Sequence, residues 1–145
     1  MKKHIIAGAS VVVLMVFFCT AIASAGGEEA VVRELICRRT DTLSGFYAGE
    51  IDKKEAVETI QSIESGHLME EDLQNIELYF QTDIEQVREY SITSIDIEEA
   101  DEDIIYGYVT IKWKVEGIDG KEEFLYEYSI ICSKEDNVYK LEQFF

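Results

Sequence analysis

"IIYGYVTIKWKVEGIDGKEEFLYEYSIICS", residues 104–133, is the stretch of this sequence that decides the fold. Apolar and polar residues alternate through 104–115 and again through 123–133, which is the two-residue period of a β-strand. Asp119-Gly120, between the two runs, is a preferred dipeptide of tight hairpin turns. The stretch therefore predicts a long antiparallel β-hairpin.

The alternation divides each strand of this hairpin into two faces. In the first strand, one face carries Gly107, Val109, Ile111, Trp113 and Val115, and the other carries Tyr106, Tyr108, Thr110, Lys112 and Lys114. In the second strand, Phe124, Tyr126, Tyr128, Ile130 and Cys132 share one face.

Four tyrosines of the hairpin form a candidate binding patch. Tyr106 and Tyr108 share a face of the first strand, and Tyr126 and Tyr128 share a face of the second. If the two faces coincide, the four rings form one aromatic patch that lines a ligand pocket or a partner surface. The alternative is ordinary sheet packing, stabilised by cross-strand aromatic pairs.

Two further strands flank the hairpin. Residues 89–97 are rich in β-branched side chains, "KEDN" (134–137) predicts a turn, and "VYKLEQFF" (138–145) closes the chain. Four strands joined by short turns predict antiparallel neighbours in one sheet.

The first half of the chain has helical periodicity instead. Apolar residues from Glu28 to Tyr47 recur at three- and four-residue steps, and Asp52 and Glu55 predict the start of a second helix. A third helix is predicted from about Met69, and a short helical turn after Asp83. Helices first and strands second predict a single α+β domain over residues 26–145, with the helices packed on one face of a four-stranded antiparallel sheet.

This order of elements resembles the nuclear transport factor 2-like, or cystatin-like, superfamily. The likeness covers about residues 28–145 and is carried by the helix at 28–47, the hairpin at 104–133 and the terminal "VYKLEQFF" strand. The resemblance implies a curved sheet around the helical layer, with a conical pocket between them. Catalytic members place an acid, histidine or tyrosine in that pocket. No motif of this sequence matches theirs, so no site residue is carried over. The chain looks most similar to the small exported bacterial members of unknown role.

The N-terminal segment predicts export. Lys2 and Lys3 precede an uncharged run over residues 5–22, and small residues prepare a cleavage site between Ala25 and Gly26. The alternative is a retained transmembrane anchor, because an uncharged, mostly apolar run of 18 residues can cross a bilayer as a helix. Both alternatives place the acidic domain outside the cytoplasm, secreted or anchored, with membrane contact only through residues 5–22 if the segment is kept.

Cys19 lies inside that apolar run. Lipoprotein processing wants small residues before the cysteine, but Val16, Phe17 and Phe18 stand there. Cys19 is therefore interpreted as an ordinary apolar residue of the segment.

The charge balance excludes one class of partner. The formal net charge is −17, and removing Lys2 and Lys3 from the 13 basic residues leaves 11 against 30 acidic residues, a net charge of −19. Such a domain repels phosphate backbones, so we expect no nucleic-acid partner. A cation, a basic partner or simple solubility remain open.

Cys37 and Cys132 are the only cysteines beyond the N-terminal segment. Outside the cytoplasm, such an even pair predicts one disulfide, which would tie the first helix to the sheet. The alternative is two buried thiols that pack as small apolar groups.

Other candidates for chemistry are weaker. "DIEEADED" (96–103) concentrates carboxylates but lacks the spacing and glycine of a calcium loop, so it is interpreted as a solvated acidic turn. His67 stands without a second histidine or a cysteine at ligand spacing and is interpreted as an exposed loop residue. No catalytic residue, metal site or cofactor is predicted.

Three functions follow as hypotheses. The first is a non-catalytic extracytoplasmic domain that binds a protein or a small ligand through its sheet or pocket. The second is a small pocket enzyme, similar to an isomerase or dehydratase, that uses a buried acid or tyrosine. The third is an acidic domain that binds cations.

Overall fold

The computed structural model describes residues 27–79 and 86–145. These residues form three helices followed by four strands: α1 (Gly27–Tyr47), α2 (Lys53–Ile63), α3 (Gly66–Leu78), β1 (Gln86–Ala100), β2 (Ile104–Gly117), β3 (Gly120–Glu135) and β4 (Val138–Phe144). The predicted α+β order is confirmed. The export segment at residues 1–25 and the helical turn after Asp83 lie outside the described residues. No helix within the described ranges is long and apolar enough to cross a membrane.

The four strands form one antiparallel sheet in sequence order, β1-β2-β3-β4. β2 and β3 pair without interruption from Ile104 opposite Ser133 to Gly117 opposite Gly120, so the predicted hairpin is confirmed. In contrast, the β1–β2 pairing contains three register shifts. Such bulges bend a strand and increase its local twist.

The residues of the β2–β3 and β3–β4 turns explain their backbone conformations. Ile118 and Asp119 form the two-residue loop between β2 and β3, and Gly120 follows with a φ of 116° that favours glycine. Asp136 and Asn137 join β3 to β4 with φ values of 49° and 67°. Asp and Asn tolerate this left-handed region, and two such residues in sequence match the twist of a hairpin.

The core lies between the helices and one face of the sheet, the inner face. Its buried members are Val32, Leu35, Ile36, Ala56, Ile60, Ile63, Leu68, Ile76, Ile95, Ile105, Val109, Ile111, Trp113, Val115, Ile130, Cys132 and Leu141. The β2 residues that the sequence places on one face are thus the ones that the core buries. Burial of this apolar surface is the main force that holds helices and sheet together.

The junction between α2 and α3 is tied directly to the sheet. Asp52 Oδ1 accepts a hydrogen bond of 2.9 Å from the Glu55 backbone N–H, which confirms the predicted N-cap of α2. α3 begins at Gly66, three residues earlier than predicted, because Ser65 serves as its N-cap residue directly after α2 ends. The Ser65 N–H donates to the carbonyl of Leu141 on β4 at 3.0 Å. This bond positions Glu64, the last residue before the cap, against the sheet.

Candidate functional site

The structure divides the four candidate tyrosines between the two faces of the sheet. In the β2–β3 register, Val109 lies opposite Tyr128 and Ile111 opposite Tyr126, so Tyr126 and Tyr128 are on the inner face with the core residues. Tyr106 and Tyr108 lie opposite Ile131 and Ser129 on the outer face. The predicted single patch is therefore not formed, because the pairing register sets the two tyrosine pairs on opposite sides.

On the outer face, Tyr106 and Tyr108 contact each other. Their hydroxyl oxygens are 2.6 Å apart, and their rings meet edge to face with centroids 5.6 Å apart. The hydrogen bond between the two hydroxyls raises the pKa of Tyr108. Because the two hydroxyls are hydrogen-bonded to each other, no ligand is needed to explain this tyrosine pair.

On the inner face, five aromatic residues form what we call the aromatic ledge: Trp113, Phe124, Tyr126, Tyr128 and Phe144. Tyr128 stacks on Phe144 with centroids 4.3 Å apart and meets Tyr126 at 5.3 Å. Trp113 is buried, whereas Phe124 is 40% exposed and Tyr126 is 57% exposed. The ledge therefore runs from the core toward solvent along β3, and its outer end presents aromatic surface.

The same part of β3 is unpaired on one side. β4 pairs with β3 only from Ile130 to Glu135, and Phe145 exchanges two backbone hydrogen bonds with Ser129, at 2.7 and 3.2 Å. Within the described residues, no strand pairs with Gly120–Tyr128 on the side away from β2. We call this side the open edge.

The backbone groups of the open edge can be assigned from Ser129. Because Ser129 directs its N–H and C=O toward Phe145, every second residue before it directs the same groups away from β2. These are Lys121, Glu123, Leu125 and Glu127, and the β2–β3 register has no shift that would change this alternation. Backbone donors and acceptors without a partner strand provide a template on which another chain can pair.

A second cluster, Arg39–Glu64–Asp72, is buried where the three helices meet. Arg39 Nε donates to Asp72 Oδ2 at 2.8 Å, Arg39 Nη2 lies 2.7 Å from the same oxygen, and Nε lies 2.9 Å from Glu64 Oε1. Glu64 is 0% exposed and Asp72 is 5% exposed. The Arg39 guanidinium also lies over the Phe144 ring, 4.9 Å from its centroid, so the cluster adjoins the aromatic ledge.

Glu64 is the unusual member of this cluster. Arg39 Nε points its hydrogen at Asp72, and neither Glu64 oxygen receives a well-aligned hydrogen bond within the described residues, although one is close to Nε. Burial and then the Asp72 carboxylate raise the pKa of Glu64 to about 9, against the lowering effect of Arg39. One guanidinium thus compensates one carboxylate, and the raised pKa favours the protonated form of Glu64.

Sequence reasoning did not single out these carboxylates. A signal was present for Asp72, which occupies the buried stripe of α3 at four-residue spacing between Leu68 and Ile76. An acid on the apolar stripe of a helix needs a buried partner. Nothing in the sequence pointed to Arg39 or to Glu64, because their contact depends on how the helices pack.

The two cysteines are both buried. Cys132 lies on the inner face of β3, opposite Ile105 and Leu141, and burial raises the pKa of its thiol to about 12. Cys37 lies on α1, where its carbonyl accepts a hydrogen bond of 3.5 Å from the Tyr90 hydroxyl. The disulfide between the two cysteines stays a prediction.

The acidic segment and the histidine have structural explanations. Asp101 Oδ1 accepts hydrogen bonds of 2.8 Å from the backbone N–H groups of Asp103 and Ile104, which closes the β1–β2 turn and lowers the pKa of Asp101. His67 lies in the first turn of α3 rather than in a loop, with its side chain 89% exposed. Among the described residues, no three His, Cys, Asp or Glu side chains are grouped so that they could hold a metal ion.

Comparisons with known proteins found no match to any protein-family model, curated protein or solved structure. The resemblance to the cystatin-like superfamily stays a prediction, and the site has to be interpreted from its own geometry.

Proposed function

We propose that this chain is a non-catalytic, extracytoplasmic binding domain whose partner is a protein that adds a strand along the open edge of β3. The observation that supports this proposal is the unpaired edge of Gly120–Tyr128 with exposed apolar side chains on it. The placement outside the cytoplasm rests on the export signal predicted for residues 1–25.

Strand addition requires two features that the open edge combines. The backbone groups of Lys121, Glu123, Leu125 and Glu127 supply hydrogen bonds to any extended chain, and side chains on both faces then select among partners. Leu125 is 62% exposed on the outer face, and Phe124 and Tyr126 are exposed on the inner face. A partner strand would therefore find apolar contacts on each side of its backbone.

The other long edge of the sheet is less suited to this role. β1 contains three register shifts, and bulges of this kind twist an edge away from regular pairing. The open edge of β3 belongs to a strand that is regular over its full pairing with β2. The two edges differ in regularity, and this difference favours β3 as the binding edge.

Site-directed photo-cross-linking tests the proposal in the producing cell. A cross-linking amino acid replaces Tyr126 on the open edge or, as a matched control, Val138 on β4, since the two positions are 57% and 56% exposed. We expect a discrete adduct from position 126 and none from position 138. Absence of an adduct at 126, or the same products at both positions, contradicts strand addition.

Two variants of Leu125 then separate backbone pairing from side-chain contact. Leu125→Pro removes an N–H that points away from β2, so the hairpin keeps its own hydrogen bonds, whereas Leu125→Ala keeps that N–H. We expect Leu125→Pro to abolish the position-126 adduct and Leu125→Ala to reduce it only partly. Equal adducts in both variants contradict the proposal.

A second candidate function, the small pocket enzyme, has one observation in its favour. Glu64 is a buried carboxylic acid with a pKa raised to about 9, which is the state that a general acid needs at neutral pH. An acid that meets substrate must also be reachable by a small molecule. A carbodiimide with an amine nucleophile tests this: labelling of Glu64 in the folded protein supports the enzyme, and protection of Glu64 opposes it.

A further inference from the structure

We infer that the strand added to the open edge is β3 of a second copy of this chain, paired antiparallel about a two-fold axis at Phe124. This inference rests on the proposed function, because it names the partner of the same edge. A two-fold interface requires a surface that is complementary to itself, and the open edge meets this requirement in length, charge and shape.

The length of the open edge selects the centre of the pairing. The edge begins at Gly120, the first residue of β3. It ends at Tyr128, because the backbone N–H and C=O of Ser129 are already hydrogen-bonded to Phe145. Phe124 is the midpoint of these residues. A pairing centred there uses the whole edge in both copies, with about eight backbone hydrogen bonds from the four outward-directed residues of each copy.

Charge selects the same centre. A pairing centred on Phe124 sets Lys121 opposite Glu127 of the second copy, twice by symmetry. Within the described residues, neither side chain takes part in an ion pair of its own copy. Opposite charges directly across two antiparallel strands are stabilising, and like charges are destabilising.

Each of the two neighbouring registers brings like charges together, and one of them also requires the occupied Ser129. A centre at Leu125 sets Glu123 opposite Glu127 of the second copy and places Lys121 opposite Ser129, whose backbone is already bonded to Phe145. A centre at Glu123 sets that glutamate opposite itself. Of these three registers, only the one centred on Phe124 sets no like charges directly opposite each other and leaves Ser129 bonded to Phe145.

The inner face is complementary in this register as well. Phe124 meets Phe124 of the second copy in a pair without backbone hydrogen bonds, where facing side chains come closest. Glu122 lies opposite Tyr126 of the second copy, so its carboxylate can accept a hydrogen bond from the phenol. The exposed end of the aromatic ledge would thus become the centre of the interface, and the two sheets would form one continuous sheet.

Cysteine cross-linking tests the register. The variants Phe124→Cys and Tyr126→Cys are made with Cys19→Ser, in the protein as it is isolated from the producing cell. Across the two-fold axis, the Cα atoms of the two cysteines introduced at position 124 would be about 4.5 Å apart, within disulfide range, whereas position 126 would lie four residues from its symmetry mate, roughly 13 Å away. We expect a disulfide-linked dimer from Phe124→Cys and none from Tyr126→Cys. Equal cross-linking of both, or of neither, overturns the inference.

Charge exchange tests it without a cysteine. Lys121→Glu and Glu127→Lys each place like charges across the axis, whereas the double variant restores two opposite-charge pairs. Because two cross-strand charge pairs change at once, we expect each single variant to weaken dimerisation in sedimentation experiments by about three-fold or more, and the double variant to recover it. Additive weakening in the double variant contradicts the register.

The experiments also separate this inference from the proposal on which it rests. A position-126 adduct of twice the chain mass supports both. An adduct with a different protein, without the Phe124→Cys disulfide, leaves strand addition standing and overturns self-pairing. Absence of any adduct overturns both.

Discussion

Arg39 is a single side chain that links all three helices. It comes from α1 and contacts Glu64 at the end of α2 and Asp72 on α3, while its guanidinium covers Phe144 of β4. Two buried carboxyl groups thus share one cation. Removing one member of such a buried network leaves uncompensated charge, which costs far more than losing a surface ion pair.

Replacing Arg39 by methionine tests this dependence. We expect Arg39→Met to lower the free energy of unfolding by about 3–5 kcal/mol, because the buried Asp72 carboxylate loses its cation. Its neighbour Arg38, whose side chain is 46% exposed, supplies the control, and Arg38→Met should cost less than about 1 kcal/mol. Urea unfolding of both variants makes the comparison. Equal losses contradict a special role for Arg39.

The raised pKa of Glu64 predicts how stability depends on pH. Between the unfolded pKa near 4.5 and the folded pKa of about 9, the folded state holds a proton that the unfolded state has released. The free energy of unfolding therefore falls as pH rises through this window, by up to about 1.4 kcal/mol per pH unit from this group. Glu64→Gln cannot ionise and removes that slope.

Unfolding measured from pH 5 to pH 8 checks the Glu64 prediction. We expect the stability of Glu64→Gln relative to the unmodified chain to increase with pH. The exposed residue Glu71, on the same helix as Asp72, provides the control, and Glu71→Gln should keep the original slope. Parallel pH profiles for the chain and Glu64→Gln would show that Glu64 is ionised in the folded state.

At the scale of the elements, the contact between β1 and β2 depends on Gly107. A Cβ atom at this position would lie 2.3 Å from the carbonyl oxygen of Asp96 and 3.1 Å from the Cα atom of Ile97. These are backbone atoms, next to one of the bulges of β1, and they cannot rotate away as a side chain could. Only glycine allows the two strands to approach this closely.

Gly107→Ala should therefore be destabilising. We expect it to lower the free energy of unfolding by about 1–3 kcal/mol, the usual cost of an overpacked site. Gly27→Ala, where a Cβ meets no atom within 4 Å, should change it by less than about 0.5 kcal/mol. Thermal unfolding of both variants measures the difference. A Gly107→Ala variant as stable as Gly27→Ala would mean that β1 can shift to accommodate the methyl group.

At the scale of the whole molecule, the two cysteines report on how helices and sheet are held together. Cys132 is 0% exposed, and its raised pKa keeps the thiol protonated. We expect an alkylating reagent to modify Cys132 at least about a hundred-fold more slowly in the folded than in the unfolded reduced protein, since only the thiolate reacts. Mass spectrometry of the Cys132 peptide measures both rates. Equal rates contradict burial.

The same samples test the predicted disulfide. Protein denatured without reductant should leave both cysteines unlabelled if Cys37 and Cys132 are joined, and should label both if they are buried thiols. The free energy of unfolding would be higher with the disulfide, because a bond that closes such a long loop would contribute roughly 3–5 kcal/mol in the loop-entropy model.

The sequence by itself determined the class and the local elements. Alternation over residues 104–133 set the hairpin, the turn residues placed its ends, and helical spacing set the first half, because each of these signals depends on neighbouring residues. Assignment of each strand residue to a face within its own strand was also local and is confirmed by burial of Val109, Ile111 and Trp113.

Tertiary structure decided what depends on contacts between distant segments. The β2–β3 register separated Tyr106 and Tyr108 from Tyr126 and Tyr128, since a strand pattern defines two faces without saying which faces of two strands coincide. Packing of three helices brought Arg39, 33 residues away, to Asp72. One side of Gly120–Tyr128 has no partner strand among the described residues, because β4 is only seven residues long and pairs with less than half of β3.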